Sequence, residues 1–174
     1  MSLTVGLVAD THGVLDSRVA AVVRGCDHAV HGGDVGAAAV LAGLGPPERV
    51  TAVRGNNDVA ARWPPGEAPV LASLDEEARL DLPGGTLVVV HGHRAGAAAR
   101  RHAWLRRRFA DARAVVYGHS HRLVCDTAAE PWILNPGAAG RARTFGGPSC
   151  IVLEAGAGTW ALTVHRFAPA ARNS

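Results

Sequence analysis

The chain contains no lysine; all 18 of its basic residues are arginine, which together with the many alanines points to a compositional bias of the source genome more than to a function. Only three cysteines occur, Cys26, Cys125 and Cys150. They are odd in number, widely spaced and without a Cys-x-x-Cys pair, which excludes a disulfide framework and a zinc ribbon and leaves them as small buried apolar residues. No unbroken apolar stretch approaches the roughly 20 residues that a membrane helix needs. Met1-Ser2-Leu3-Thr4 enters the first apolar run without a basic n-region, so no signal peptide is read and a cytoplasmic location is expected. Charged residues make up 19% of the chain and apolar ones 48%, a globular rather than a disordered balance. The formal charge of +3 is small for 174 residues and gives the high pI little meaning for nucleic-acid binding.

What the chain does have is a repeated grammar. Thr4 to Ala9 is an almost continuous apolar stretch, as in a strand buried on both faces, and it ends in Asp10-Thr11-His12-Gly13. The same switch from apolar to polar recurs at His31-Gly32-Gly33-Asp34, Gly55-Asn56-Asn57-Asp58, His91-Gly92-His93 and Gly118-His119-Ser120-His121. In an α/β sheet, ligands bind beyond the carboxyl ends of strands, so these five blocks are expected to converge. Seven residues in them carry metal-binding atoms: Asp10, His12, Asp34, Asn56, His91, His119 and His121.

Between the blocks, Val14 to Arg24 has helical spacing with Gly25 as a stop, and Gly36 to Leu44 reads as a short alanine-rich helix. Arg62 to Pro69 holds too many prolines for regular structure, and Trp63 within it is the tryptophan expected to contact substrate. Ala78–Leu82 and Thr86–Val90 flank Pro83-Gly84-Gly85, a hairpin signature. Later strand-like runs surround Val124, Ile133, Ile151 and Val164. The resulting expectation is an α/β fold of two mixed β-sheets packed as a sandwich and flanked by helices, one domain over residues 1–167 with a frayed tail at 168–174. The arginines between Arg94 and Arg113 are read as a solvated helix face in preference to a nucleic-acid patch.

Mixed nitrogen and oxygen donors suit borderline dications, Mn²⁺, Ni²⁺, Fe²⁺, Co²⁺ or Zn²⁺, and argue against calcium. Asp34 is the natural bridge between two ions, with Asp10 and His12 reaching one of them and His119 and His121 turned toward different ones. Two dications, two carboxylates and a bridging hydroxide leave a net charge of about +1, an anion site; such a pair lowers the pKa of a shared water from 15.7 toward about 7. Phosphate-ester hydrolysis by in-line attack is the matching reaction. His28, His31, His102 and His165 are not expected to be ligands; His31 is assigned a packing or supporting role and Asp58 the orientation of a ligand.

The five blocks, in this order and spacing, resemble the signature blocks of the calcineurin-like metallophosphoesterases, and Asn135-Pro136-Gly137 resembles a segment of the small single-domain branch. That branch includes bacterial and archaeal phosphodiesterases and the retromer sorting subunit. The resemblance implies Asp10, His12, Asp34 and His121 on one metal and Asp34, Asn56, His91 and His119 on the other, with Mn²⁺ the leading ion. It also implies a small phosphate ester as substrate, a diester in preference to a monoester. No membrane partner is expected from the composition, nucleic acid is not favoured on charge, and homo-oligomerisation is left open. Asn57 stands where larger relatives carry a histidine and small ones often a cysteine. Its amide can donate to a phosphoryl oxygen but cannot deliver a proton, so water or His93 is expected to protonate the leaving group. The competing reading is a metal-binding scaffold of the same fold.

Overall fold

The computed structural model describes residues 1–169; residues 170–174, most of the tail assigned at 168–174, lie outside the described residues. Two five-stranded sheets face each other. The first has the order β10-β9-β1-β2-β3, from β1 (Ser2–Val8), β2 (His28–His31), β3 (Val50–Ala52), β9 (Ser149–Gly156) and β10 (Trp160–Arg166). The second has the order β4-β5-β6-β8-β7, from β4 (Glu77–Leu82), β5 (Gly85–Val90), β6 (Ala114–Val116), β7 (Leu123–Asp126) and β8 (Trp132–Pro136). Strands β1, β2 and β3 are parallel, as are β5, β6 and β8, while β9, β10, β4 and β7 pair antiparallel to their neighbours. The expected mixed-sheet sandwich is therefore the observed one.

Period-two alternation explains the layering. Val5 and Leu7 of the first sheet meet Leu87, Val89, Val116 and Leu134 of the second in the central core. The intervening residues face helices: Val88, Val115 and Ile133 pack on Leu105 and Phe109 beside α4 (Ala98–Arg108), and Val8 and Ala29 pack on Val19 and Val23 of α1 (Ser17–Arg24). Gly6 lets α1 lie close to β1, since a Cβ there would stand 2.8 Å from Val23 Cγ1. Two short helices, α2 (Ala38–Leu44) and α3 (Ala68–Ala72), complete that side.

Local chemistry shifts some expected boundaries. α1 begins three residues later than the Val14 spacing implies, because the Asp16 carboxylate caps it by accepting from Arg18 N at 2.9 Å. The hairpin forms as expected between β4 and β5, with Gly84 at φ 87°. The arginine helix is not simply a solvated face. Arg101 is buried with its guanidinium over the Tyr117 ring, and Arg106 pairs with Asp126 at 2.9 Å. Cys26 and Cys150 are buried, but Cys125 is exposed, because it lies on the edge strand β7. Among the described residues, no helix is long and apolar enough to cross a membrane.

Candidate metal centre

The carboxyl ends of β1, β2, β3, β5 and β6 open at one rim, and the polar residues that follow them meet there. Five of the seven expected ligands have left-handed backbone: Asp10 (φ 53°), His12 (48°), Asp34 (55°), His119 (66°) and His121 (58°). Such conformations are uncommon outside glycine and cost of order 1 to 3 kcal/mol each, so the surrounding structure must impose them. It does so through a lattice of loop bonds: Asp10 N donates to Gly33 O (3.0 Å), His12 N to Asp34 O (2.9 Å), and Gly118 N to His91 O (3.1 Å). Two glycines permit the crowding. A Cβ on Gly33 would meet the His91 ring at 2.7 Å, and one on Gly55 would collide with the Asp34 carboxylate.

The side chains form two groups on either side of Asp34. On one side, His12 Nε2 stands 3.1 Å from His121 Nε2, and His121 Nε2 stands 3.6 Å from Asp10 Oδ1. On the other, Asn56 Oδ1 lies 3.1 Å from both His91 Nε2 and His119 Nδ1. Asp34 Oδ2 reaches both groups, 3.7 Å from His12 Nε2 and 3.4 Å from His91 Nε2. Four- to six-coordinate ions with bonds of about 2.1 Å hold adjacent donors roughly 3.0 to 3.4 Å apart, close to these spacings. Tautomers agree. His91 Nδ1 and His121 Nδ1 face the carbonyls of Gly32 (2.8 Å) and Ala142 (3.2 Å), so each donates its Nδ1 proton there and turns the Nε2 lone pair inward. Asp10 Oδ2 is a buried oxygen with no hydrogen-bond partner, although Oδ1 accepts from His119 N at 3.1 Å. A buried carboxylate oxygen left so is costly unless a cation satisfies it, so these donors fit divalent ions.

The family described as the calcineurin-like phosphoesterase superfamily domain matches residues 3–158. The chain belongs to this superfamily. Among curated proteins none matches the sequence. Similar solved structures include Vps29 from Entamoeba histolytica complexed with Zn²⁺ (TM-score 0.69, 16% identity, 95% of this chain and 99% of that one). A novel archaeal phosphodiesterase gives TM-score 0.67 at 18% identity over 94% of this chain and 100% of its own. YfcE, a phosphoesterase from E. coli, gives 0.58 at 22% identity over 87% and 88%. At these identities the likeness establishes the fold.

Within this member of the superfamily the two carboxylates have opposite electrostatics. Burial, reinforced by the charge of Asp34, pushes Asp10 up to about 7 in the metal-free protein. Burial also acts to raise Asp34, but hydrogen bonds and charge from His91 and the Asn57 bonds outweigh it and hold Asp34 well below the carboxylate range. Desolvation lowers His12, His119 and His121, the last to about 4, so these rings are neutral and ready to ligate near pH 7. His91 is the exception: desolvation acts to lower it, but the Asp34 contact raises it.

Some supporting residues keep the roles expected of them and others do not. Asn57 spends its amide on Asp34: the backbone N donates to Oδ1 (2.8 Å) and Nδ2 to Oδ2 (2.6 Å), while its Oδ1 accepts from Arg62. Asp58 orients loops, accepting from Val35 N (3.1 Å), Gly36 N (2.9 Å) and Gly55 N (2.8 Å). Trp63 is not a substrate platform. Its indole is buried and donates to Asp58 Oδ1 at 3.0 Å, within the apolar cluster of Val35 and Leu71. His31 has the supporting role assigned to it, bonded to Thr11 Oγ1 (2.8 Å) and to Gly33 N (3.1 Å). Asn135 holds the last block by donating to Gly118 O at 2.8 Å. His93 lies beside the cluster, its ring 5.5 Å from His91 and 6.3 Å from His119. Among arginines near the rim, Arg54 donates to Leu71 O and Arg94 pairs with Glu76, whereas Arg143 Nη2 comes within 3.3 Å of His121 Nε2. Thr11, held by His31 and Val35 O, and Arg62, which donates to Asn57 five residues before it, carried no recognisable sequence signal.

Proposed function

We propose that the chain is a two-metal phosphoesterase acting on small phosphodiesters. The observation that carries this reading is Asp34, whose one carboxylate oxygen approaches donors of both groups. Asp10, His12, Asp34 and His121 would hold one ion and Asp34, Asn56, His91 and His119 the other, with Mn²⁺ the leading candidate. When bound, such a pair lowers the pKa of a shared water toward about 7 and neutralises charge developing on phosphorus.

The chain's own residues supply the rest. Asn57 fixes the Asp34 carboxylate through two hydrogen bonds, so it keeps one orientation between the two groups. The two loops that carry Asp34 and Asn56 are tied to Asp58 by three backbone bonds, so both groups are set before substrate arrives. His93 is the side chain left to protonate the leaving group: its Nδ1 has no partner, and Asn57 has no proton to give. A singly charged diester matches the core charge of about +1. Arg143 at the His121 edge and Arg62 at the Asn57 edge favour a second reading, a phosphomonoesterase, since either could balance the additional charge. A cytoplasmic location suits the buried thiols of Cys26 and Cys150.

The test is turnover of bis(4-nitrophenyl) phosphate beside 4-nitrophenyl phosphate, with Mn²⁺ and with chelator, for the natural chain and Asp34→Ala. Expected is diester turnover that needs the metal and vanishes in the variant. Metal binding without turnover of either ester would support the scaffold reading instead.

A further inference from the structure

Beside the metal centre lies a cavity of about 330 Å³, of whose lining the hydrolytic reading uses only His91 and His93. Val90, Gly92 and Ala95 form its apolar part, and Trp104 forms an aromatic wall, half-buried and edge-on to Phe109 at 6.5 Å. The polar part is ionic but balanced. Arg94 Nη2 pairs with Glu76 Oε1 at 2.6 Å, and Arg108 Nη2 lies 3.7 Å from Glu77 Oε2. His91 of the metal centre and His93 both line the cavity, and His93 Nδ1 is a buried polar atom without a partner.

We infer that this cavity is a subsite for a neutral heteroaromatic group, a nucleobase, carried by one ester arm of the phosphodiester; this rests on the phosphodiesterase reading above. Each property of the cavity selects for that class. Its size is at the lower end of small-molecule pockets and admits one ring system. The charges cancel in pairs, so a second phosphate gains nothing there, whereas the edge of a base finds both donors and acceptors. Trp104 offers an indole for stacking, a contact that tolerates any base because every base has a π-face. Because His91 belongs to the metal centre and also lines the cavity, the cavity is within reach of one arm of an ester held at that centre.

The experiment compares two ligands with the same singly charged phosphodiester, thymidylyl-thymidine and dimethyl phosphate, as competitive inhibitors of bis(4-nitrophenyl) phosphate hydrolysis by the Mn²⁺-loaded protein. Calorimetric titration of the same two ligands is run in parallel. The expected result is at least about tenfold tighter binding of the dinucleoside, with the ratio falling toward one in Trp104→Ala. Trp104→Leu, which keeps an apolar side chain against Phe109, should lose the preference in the same way and guards against misfolding of the alanine variant. Equal affinities, or a preference that survives both substitutions, would overturn the subsite. If no ester is hydrolysed, the function proposed above fails, while the calorimetric ratio still decides whether the cavity binds a base.

Discussion

The indole of Trp63 donates a hydrogen bond to the buried carboxylate of Asp58, 3.0 Å away, and so ties the proline-rich loop to the floor of the metal centre. Asp58 then has four donors aimed at it, three from backbone that carries Asp34 and Asn56. Trp63→Phe keeps the ring but removes one donor, and should cost about 1 to 2 kcal/mol in urea denaturation with KM unchanged. A large rise in KM with stability intact would return Trp63 to substrate contact. Asp58→Asn turns a donor toward N–H groups and should cost about 3 kcal/mol and 10- to 100-fold in metal affinity.

The two sheets and the convergence of the five blocks were legible in the sequence because each rests on a local signal: apolar strands, polar residues at their carboxyl ends, and glycine where loops crowd. Roles that depend on how one loop folds against its partners were not. Trp63 reads as an exposed loop aromatic until Asp58, five residues on the N-terminal side, is found folded under it. Asn57 reads as a free amide until Asp34, from the loop after another strand, accepts from both its backbone N and its Nδ2. Arg101 reads as one more solvated charge in a run until Tyr117 supplies a ring beneath it. Cys125 fails for a different reason, since composition carries no information on which strand ends at the sheet edge.

The two donor groups should separate by metal stoichiometry. His121→Ala removes a donor from the Asp10 and His12 side, and Asn56→Ala one from the His91 and His119 side. Each is expected to retain about one ion per chain, and Asp34→Ala close to none, by elemental analysis after dialysis against Mn²⁺. Two ions retained by Asp34→Ala would remove Asp34 from its bridging place.

Metal uptake should release protons in a pH-dependent way. In the metal-free protein Asp10 is pushed up to about 7 by burial, and contact with Asp34 raises His91. At pH 6 both still hold protons that a cation must displace; at pH 8.5 Asp10 does not. Calorimetry in buffers of different ionisation enthalpy should read roughly one to two protons released at pH 6 and fewer at pH 8.5. Asp10→Asn should reduce the release at pH 6. The same shift has a sign for folding: Asp10 contributes stability in full below pH 3.8 and loses it as pH rises through about 7, until metal binding offsets the loss.

His31 should act in the opposite sense. Gly33 N donates to its Nδ1, so the proton sits on Nε2 toward Thr11 Oγ1, which in turn donates to Val35 O at 2.9 Å. A second proton has no place in this chain, and burial lowers the ring to about 4. A neutral buried histidine contributes stability above pH 6.5 that is lost as pH falls from there toward about 4, on the order of 3 kcal/mol. Urea midpoints of the natural chain and His31→Leu, compared at pH 7.5 and 5.0, isolate this from the opposing Asp10 effect. The gap between the two proteins should shrink at the lower pH, and a constant gap would show that His31 does not titrate.

Arg143 sets a competition at the His121 edge. Its Nη2 lies 3.3 Å from His121 Nε2, the lone pair that a metal would take, and its charge opposes an incoming cation. The same charge attracts an anion once the ions are in place. Arg143→Ala is therefore expected to bind the ion at this side more tightly, by severalfold to about tenfold, because a charge-assisted hydrogen bond of about 1.5 kcal/mol no longer competes. It should weaken inhibition by orthophosphate more than it weakens diester turnover, since the multiply charged ligand relies more on the guanidinium. The two effects run in opposite directions from one substitution. A general loosening of the loop would weaken metal and phosphate together, so Mn²⁺ titration beside orthophosphate inhibition separates the two explanations.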